Sequence, residues 1–100
     1  MNKIHLEENV KRVKKILQLN RIKILNLLDK RETCACELVS KLNLPNNLVS
    51  HHLKVLSNLG LLDKRKIGLH IKYSIKPLKK KQISRLLNCL LSYTNESNKK

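Results

Sequence analysis

Apolar residues recur at helical spacing over most of the chain and switch to strict alternation over one short stretch. Leu6, Val10, Val13 and Leu17 fall at i, i+4, i+7 and i+11 with Lys and Arg filling the other faces, which predicts an amphipathic helix over residues 5 to 18. A second helix, over residues 21 to 29, carries Ile22, Leu25 and Leu28. A short helix over 36 to 42 and a longer one over 47 to 59 follow, joined by a tight turn through Asn43, Leu44 and Pro45 and stopped by Gly60. Leu69, Ile71, Tyr73 and Ile75 then alternate with His70, Lys72, Ser74 and Lys76, the period of a half-buried strand. Residues 61 to 67 supply its partner, and Gly68 stands where a hairpin needs a residue tolerant of positive φ. Pro77 opens a last helix to about Tyr93, with Ile83, Leu86, Leu87, Leu90 and Leu91 on its apolar side. Residues 1 to 94 thus form one domain, and the polar residues 95 to 100 are expected to be a disordered tail.

Helix, short turn and helix make a helix-turn-helix, in which the second helix enters the major groove. Its polar residues agree: Asn47, Ser50, His51, Lys54 and Asn58 fall on one side, and Leu48, His52, Val55 and Leu59 form a separate stripe, so His52 is expected to pack inside. With the basic hairpin as a wing, the fold class is mainly α with a small β-hairpin, a winged helix-turn-helix. Its first and last helices have apolar faces too wide for such a small core to cover.

Charge names the partner. Twenty-two Lys and Arg against 7 Asp and Glu give +15 in 100 residues, an electrostatic footprint for phosphate. Tyr73 and Tyr93 are the only aromatics, so the stacking platforms of single-strand readers are missing and double-stranded DNA is the expected partner. Asn47, Ser50, His51 and Lys54 are the candidate reading residues, and Arg65, Lys66 and Lys72 the candidate wing contacts to phosphate or minor groove. No apolar run approaches the ~20 residues of a membrane span and no signal-peptide core is visible, so the chain is expected to be cytoplasmic, without membrane contact. No Gly-rich phosphate loop, paired nucleophile and base, or acidic cluster suggests an enzyme.

The run Asn46-Asn47-Leu48-Val49-Ser50-His51-His52-Leu53-Lys54-Val55-Leu56, followed by Gly60-Leu61-Leu62, Gly68 and Tyr73-Ser74-Ile75, resembles the DNA-binding signature of ArsR/SmtB repressors. Glu32-Thr33-Cys34-Ala35-Cys36-Glu37-Leu38 is similar to that family's Cys-Val-Cys metal-binding box, and the resemblance spans roughly residues 8 to 92. It implies a homodimer paired through the outer helices, an imperfect inverted-repeat operator, and derepression by an ion. No cofactor is expected for DNA binding itself.

Cys34 and Cys36 are the candidate ligands, and two thiolates suit soft ions, with arsenite, antimonite, cadmium, lead and zinc as candidate inducers. Residues i and i+2 of a helix point about 200° apart, so capture of one ion is expected to require an unwound helix start and to distort the reading head. Lys30, Arg31 and the helix N-terminus are expected to favour the thiolates against Glu32 and Glu37. The third cysteine of arsenic-sensing relatives corresponds to Val39 here, and residues 1 to 33 lack the arm cysteines of cadmium-sensing ones. An exogenous thiol, water or His5 from a second subunit are the candidate third ligands. Cys89, in the last helix, is expected in the core or the dimer interface. Two alternatives stand beside this reading: a repressor of the same fold governed by thiol oxidation or concentration, and a non-specific basic nucleic-acid-binding protein.

Overall fold

The structure, a computed structural model, describes the backbone of residues 3 to 98 and the side chains of residues 5 to 92. Five helices and three strands follow in the order α1 (Lys3–Ile16), α2 (Leu19–Lys30), β1 (Thr33–Cys34), α3 (Ala35–Leu42), α4 (Asn46–Asn58), β2 (Leu62–Ile67), β3 (His70–Ile75) and α5 (Pro77–Asn98). This is the expected winged helix-turn-helix with one addition. The two-residue strand β1 pairs antiparallel with β3, giving a sheet of order β1-β3-β2. No helix among the described residues is long and apolar enough to cross a membrane.

The core forms where α2, α3 and α4 cross and is closed by the base of the wing and by α5. Ile24, Leu25 and Leu28 enter it from α2, Leu38 from α3, Val49, Leu53 and Leu56 from α4, Leu62 and Ile75 from the sheet, and Ile83 and Leu87 from α5. On α4 the fully buried stripe is therefore Val49, Leu53 and Leu56, whereas Leu48 and Val55 of the expected stripe are half-buried. His52 and Leu59 are buried, as expected for His52.

The turn of the helix-turn-helix is built by local chemistry. Asn43 closes α3 in the left-handed region at φ 53°, which its short polar side chain tolerates better than most residues would. Pro45 follows as the N-cap of α4, and its carbonyl accepts the amides of Leu48 and Val49 at 3.1 Å each. At the wing tip, Gly68 takes φ 59° in the two-residue loop between the paired Ile67 and His70, a conformation open to glycine without steric cost.

The alternation along β3 separates faces without half-burying all of one. Ile75 is buried and Tyr73 partly so, but Ile71 is 45% and Leu69 97% exposed, because the wing projects beyond the helices that cover its base. Helix α1 departs further from the core its sequence suggests. Leu6, Val10 and Val13, with Leu17 just past its end, are 42 to 54% exposed, and among the described residues of this helix only Ile16 is buried. Polar ties hold it instead: Arg12 donates to the Leu59 carbonyl at the end of α4 at 2.8 Å, and Arg21 to the Lys15 carbonyl at 2.6 Å. Such bonds satisfy carbonyls a helix end leaves open.

Helix α5 runs to Asn98, past the expected end near Tyr93 and through the first residues of the expected tail; residues 99 and 100 lie outside the described residues. Cys89 is exposed on this helix, which removes the core placement expected for it. Lys80 and Ser84 tie α5 to Asp29 at the end of α2, Ser84 Oγ at 2.6 Å. The Ser84 hydrogen bond, with help from Lys80, holds the Asp29 carboxyl below its ordinary range.

Candidate nucleic-acid interface and dithiol site

Helix α4 presents Asn47, Ser50, His51, Lys54 and Asn58 to solvent along one side, while its opposite stripe is locked into the core. Rigid packing beneath an exposed polar row suits recognition, because the row is held in place without its own side chains being consumed by the fold. A depression beside it, about 360 Å³ in volume, is bordered by Lys15, Arg21, His51 and Asn58. Lys15 and Arg21 are thus candidate phosphate contacts that the helix periodicity could not identify, since they come from α1 and α2.

Arg21 also reaches inward. Its Nε donates to His52 Nδ1 at 3.1 Å while its other arm holds the Lys15 carbonyl, so one guanidinium joins the end of α1 to the middle of the recognition helix. His52 is 3% exposed, and its Nε2 has no partner among the described residues. Burial, and then the charges of Arg21 and His51, push its pKa down, favouring the neutral ring. Because the folded value lies below the unfolded one, the folded state binds fewer protons, and stability present above pH ~6.5 is lost as pH falls through the folded pKa. The thermal midpoint is accordingly expected to drop between pH 7 and pH 5. His52→Asn, which keeps an acceptor for Arg21 but does not titrate, is expected to flatten that slope; an unchanged slope would exclude His52 as its source.

The wing cations do not form one patch. Arg65 and Lys72 face each other across the β2–β3 pair, as do Lys66 and Ile71, so Lys66 points to the opposite face from Arg65. Like charges directly opposite are unfavourable, and Glu32 relieves them. Arg65 donates to its carboxylate through Nε at 3.1 Å and Nη2 at 2.6 Å. The Arg65 hydrogen bonds, with the charges of Arg65 and Lys72 behind them, hold the Glu32 carboxyl below its ordinary range. Of the three wing residues predicted for DNA, Arg65 is therefore already engaged in the isolated chain.

Cys34 and Cys36 come together without unwinding a helix. Cys34 lies in β1 and is the N-cap of α3 with extended backbone (φ −83°, ψ 160°), so it does not share the helical i, i+2 geometry that would turn the sulfurs apart. The two Sγ atoms are 2.6 Å apart. The Cys36 hydrogen bond, supported by the amides of Glu37 and Cys36 at the helix start, lowers the Cys34 pKa, and the same contact raises that of Cys36. The expected cationic help is absent: Arg31 is paired with Glu37, whose charge opposes the Cys34 thiolate. The contact thus favours a single thiolate within the pair. Among the described residues no group of three His, Cys, Asp or Glu could hold a metal ion, so a soft ion would find two sulfur ligands here. Residues Cys34 and Lys72 are register partners in the β1–β3 pair, which ties the dithiol to the wing.

Comparison with known proteins agrees with this architecture. Residues 20–64 match the model of the bacterial regulatory proteins of the arsR family. The chain is 29% identical over 56 residues to a transcriptional repressor SmtB homolog of Synechocystis sp., covering 56% of this chain and 42% of that protein. It is 36% identical over 61 residues to the cadmium resistance transcriptional regulatory protein CadC of Listeria innocua, covering 60% and 51%. The matched stretch is thus about half the length of these two relatives. Among solved structures, the transcriptional repressor PagR of Bacillus anthracis superposes with a TM-score of 0.68 at 30% identity, covering 85% of this chain and 99% of that one. The chain belongs to the arsR family of bacterial regulatory proteins.

Proposed function

We propose that this chain is a sequence-specific DNA-binding repressor that acts as a homodimer on an imperfect inverted repeat and releases it when a soft metal or metalloid ion binds Cys34 and Cys36. The observation that carries this reading is the exposed row Asn47, Ser50, His51 and Lys54 on a helix whose other side is buried, in a chain of charge +15. These side chains can bond to base edges, and Lys15, Arg21, Lys66 and Lys72 supply cations for flanking phosphates. A CadC relative named for cadmium resistance supports a soft ion as the signal, as does the convergence of two thiols.

The path from signal to release runs through the sheet rather than through helix distortion. An ion gripped by both sulfurs restrains β1, which is paired with β3 and followed on the sheet by the Arg65 face. Glu32, two residues before Cys34, competes with DNA for Arg65. In this reading the operator complex has Arg65 on phosphate, and the ion-bound state returns it to Glu32. A ligand shifts such an equilibrium only by its differential affinity for the two states.

The test is fluorescence anisotropy of labelled upstream DNA with reduced protein at fixed salt, titrated with arsenite and then cadmium. Release from the wild type and none from a Cys34→Ser, Cys36→Ser variant is expected. Specific binding that ignores both ions would defeat the ion-responsive part and favour control by oxidation or concentration. Equal affinity for operator and random DNA at physiological salt would defeat the repressor reading altogether.

A further inference from the structure

The tip of the wing carries apolar side chains that the core does not use. Leu69 is 97% exposed, the most of any large apolar residue among those described, and Ile67 and Ile71 beside it are each more than 40% exposed. A scattered exposed leucine is ordinary on a protein surface. Here three apolar residues share the end of a hairpin with a two-residue loop, where polar turn residues are the rule. Register sets their directions. Ile67 pairs with His70, and Ile71 with Lys66, so the two isoleucines lie on opposite faces and Leu69 stands at the end between them. Cations follow on both faces, Lys66 beside Ile71 and Lys72 on the side of Ile67. Gly68 adds no side chain, which leaves one leucine as the leading group, slim enough for a minor groove about 6 Å wide. The tip also stands in the right place. Leu69, His70 and Ile71 border a cleft of about 430 Å³ together with Asn46 at the start of α4. The wing end therefore lies beside the N-terminal end of the recognition helix, the end whose residues meet base edges.

Resting on the DNA-binding reading above, we infer that Leu69 is a minor-groove wedge: it enters between two base pairs that flank the half-site read by α4, unstacks that step and bends the duplex toward the major groove. Lys66 and Lys72 hold phosphates on the two walls of the groove. Ile67 and Ile71 cover deoxyribose carbon on either side. Unstacking costs free energy, and removal of the leucine and of sugar and base carbon from water offsets it. That cost is lowest at pyrimidine–purine steps. Leu69 therefore adds a preference for such a step on each flank without a hydrogen bond to any base, a specificity that the polar row of α4 does not supply.

The experiment uses the full chain and duplexes of the upstream DNA, with donor and acceptor dyes at the ends and 2-aminopurine at successive flanking positions. Binding by the wild type is expected to raise energy transfer between the ends and to raise 2-aminopurine emission about twofold or more at one step on each flank. Leu69→Ala is expected to abolish the emission rise, reduce the bend and weaken the operator complex by about three- to tenfold, with the fold intact at so exposed a position. Leu69→Lys separates wedge from charge. Its added cation is expected to restore affinity but neither the bend nor the emission. Replacement of the responding pyrimidine–purine step by AA is expected to weaken the wild type about fivefold or more and to leave Leu69→Ala unaffected. Specific binding to a straight duplex with silent 2-aminopurine overturns the inference and leaves the repressor standing, as does a Leu69→Ala or Leu69→Lys complex bent like that of the wild type. Equal affinity of the wild type for operator and random DNA overturns both. Phosphatidylglycerol vesicles test the other apolar surface that a basic tip could enter. Loss of vesicle binding in Leu69→Ala with the DNA bend unchanged assigns the tip to lipid and overturns the wedge.

Discussion

An Asn47→Ala, Ser50→Ala, His51→Ala variant is expected to lose at least about a hundredfold in operator affinity while keeping the thermal midpoint of the parent. Each side chain that reads a base edge is worth about 1–3 kcal/mol of discrimination, so three together reach that loss even at the low end. Stability is expected to hold because all three residues are exposed, whereas α4 is anchored by Val49, Leu53 and Leu56. Lys54→Ala supplies the contrast. Removal of one phosphate contact should weaken operator and random DNA alike and reduce the dependence of log affinity on log salt by about one. If the triple variant weakens both DNAs equally, the row carries charge and shape but no sequence reading. If it weakens neither, α4 is not the reading element.

The recognition helix was legible because its polar residues repeat at helical spacing and its ends carry Pro45 and Gly60. Which of its apolar stripes faces the core was less legible. The sequence offers Leu48, Val55 and Leu59 on one side and Val49, Leu53 and Leu56 on another, and only the neighbouring helices decide that the second is sealed. The same limit applies at the candidate sites. Cys34 and Cys36 announce themselves by spacing and chemistry, but their convergence depends on β1, whose existence depends on β3 some forty residues later. A two-residue strand leaves no periodicity to detect. The Glu32 carboxylate that occupies Arg65 is equally remote along the chain. Local pattern therefore identified the groups, and nonlocal pairing determined which of them are free to act.

The exposed stripe on α1 leads to the second large effect: Val10→Glu, Val13→Glu is expected to turn a dimer into a monomer in sedimentation. In the single chain Leu6, Val10, Val13 and Leu17 are each more than 40% exposed, although their spacing is that of a packed helix. Leu17 also borders an apolar depression of about 460 Å³ with Leu19, Ile22, Leu87 and Leu91, so a second copy could cover both surfaces together. Two carboxylates placed in such a seam would have to be desolvated without partners, while in a monomer they would remain in water at little cost. Truncation after Ser84 is a poorer test. It removes Leu87, which is 2% exposed in the core, so aggregation would report lost packing as readily as a lost interface. The charged variant leaves the core whole, and its retained helical circular dichroism would show that. Its DNA affinity is expected to fall by about 10²- to 10⁴-fold, because the second half-site is no longer held at high effective concentration by the first. A dimer that persists at micromolar concentration would show that α1 does not form the interface, and would shift attention to the exposed face of α5 that carries Cys89.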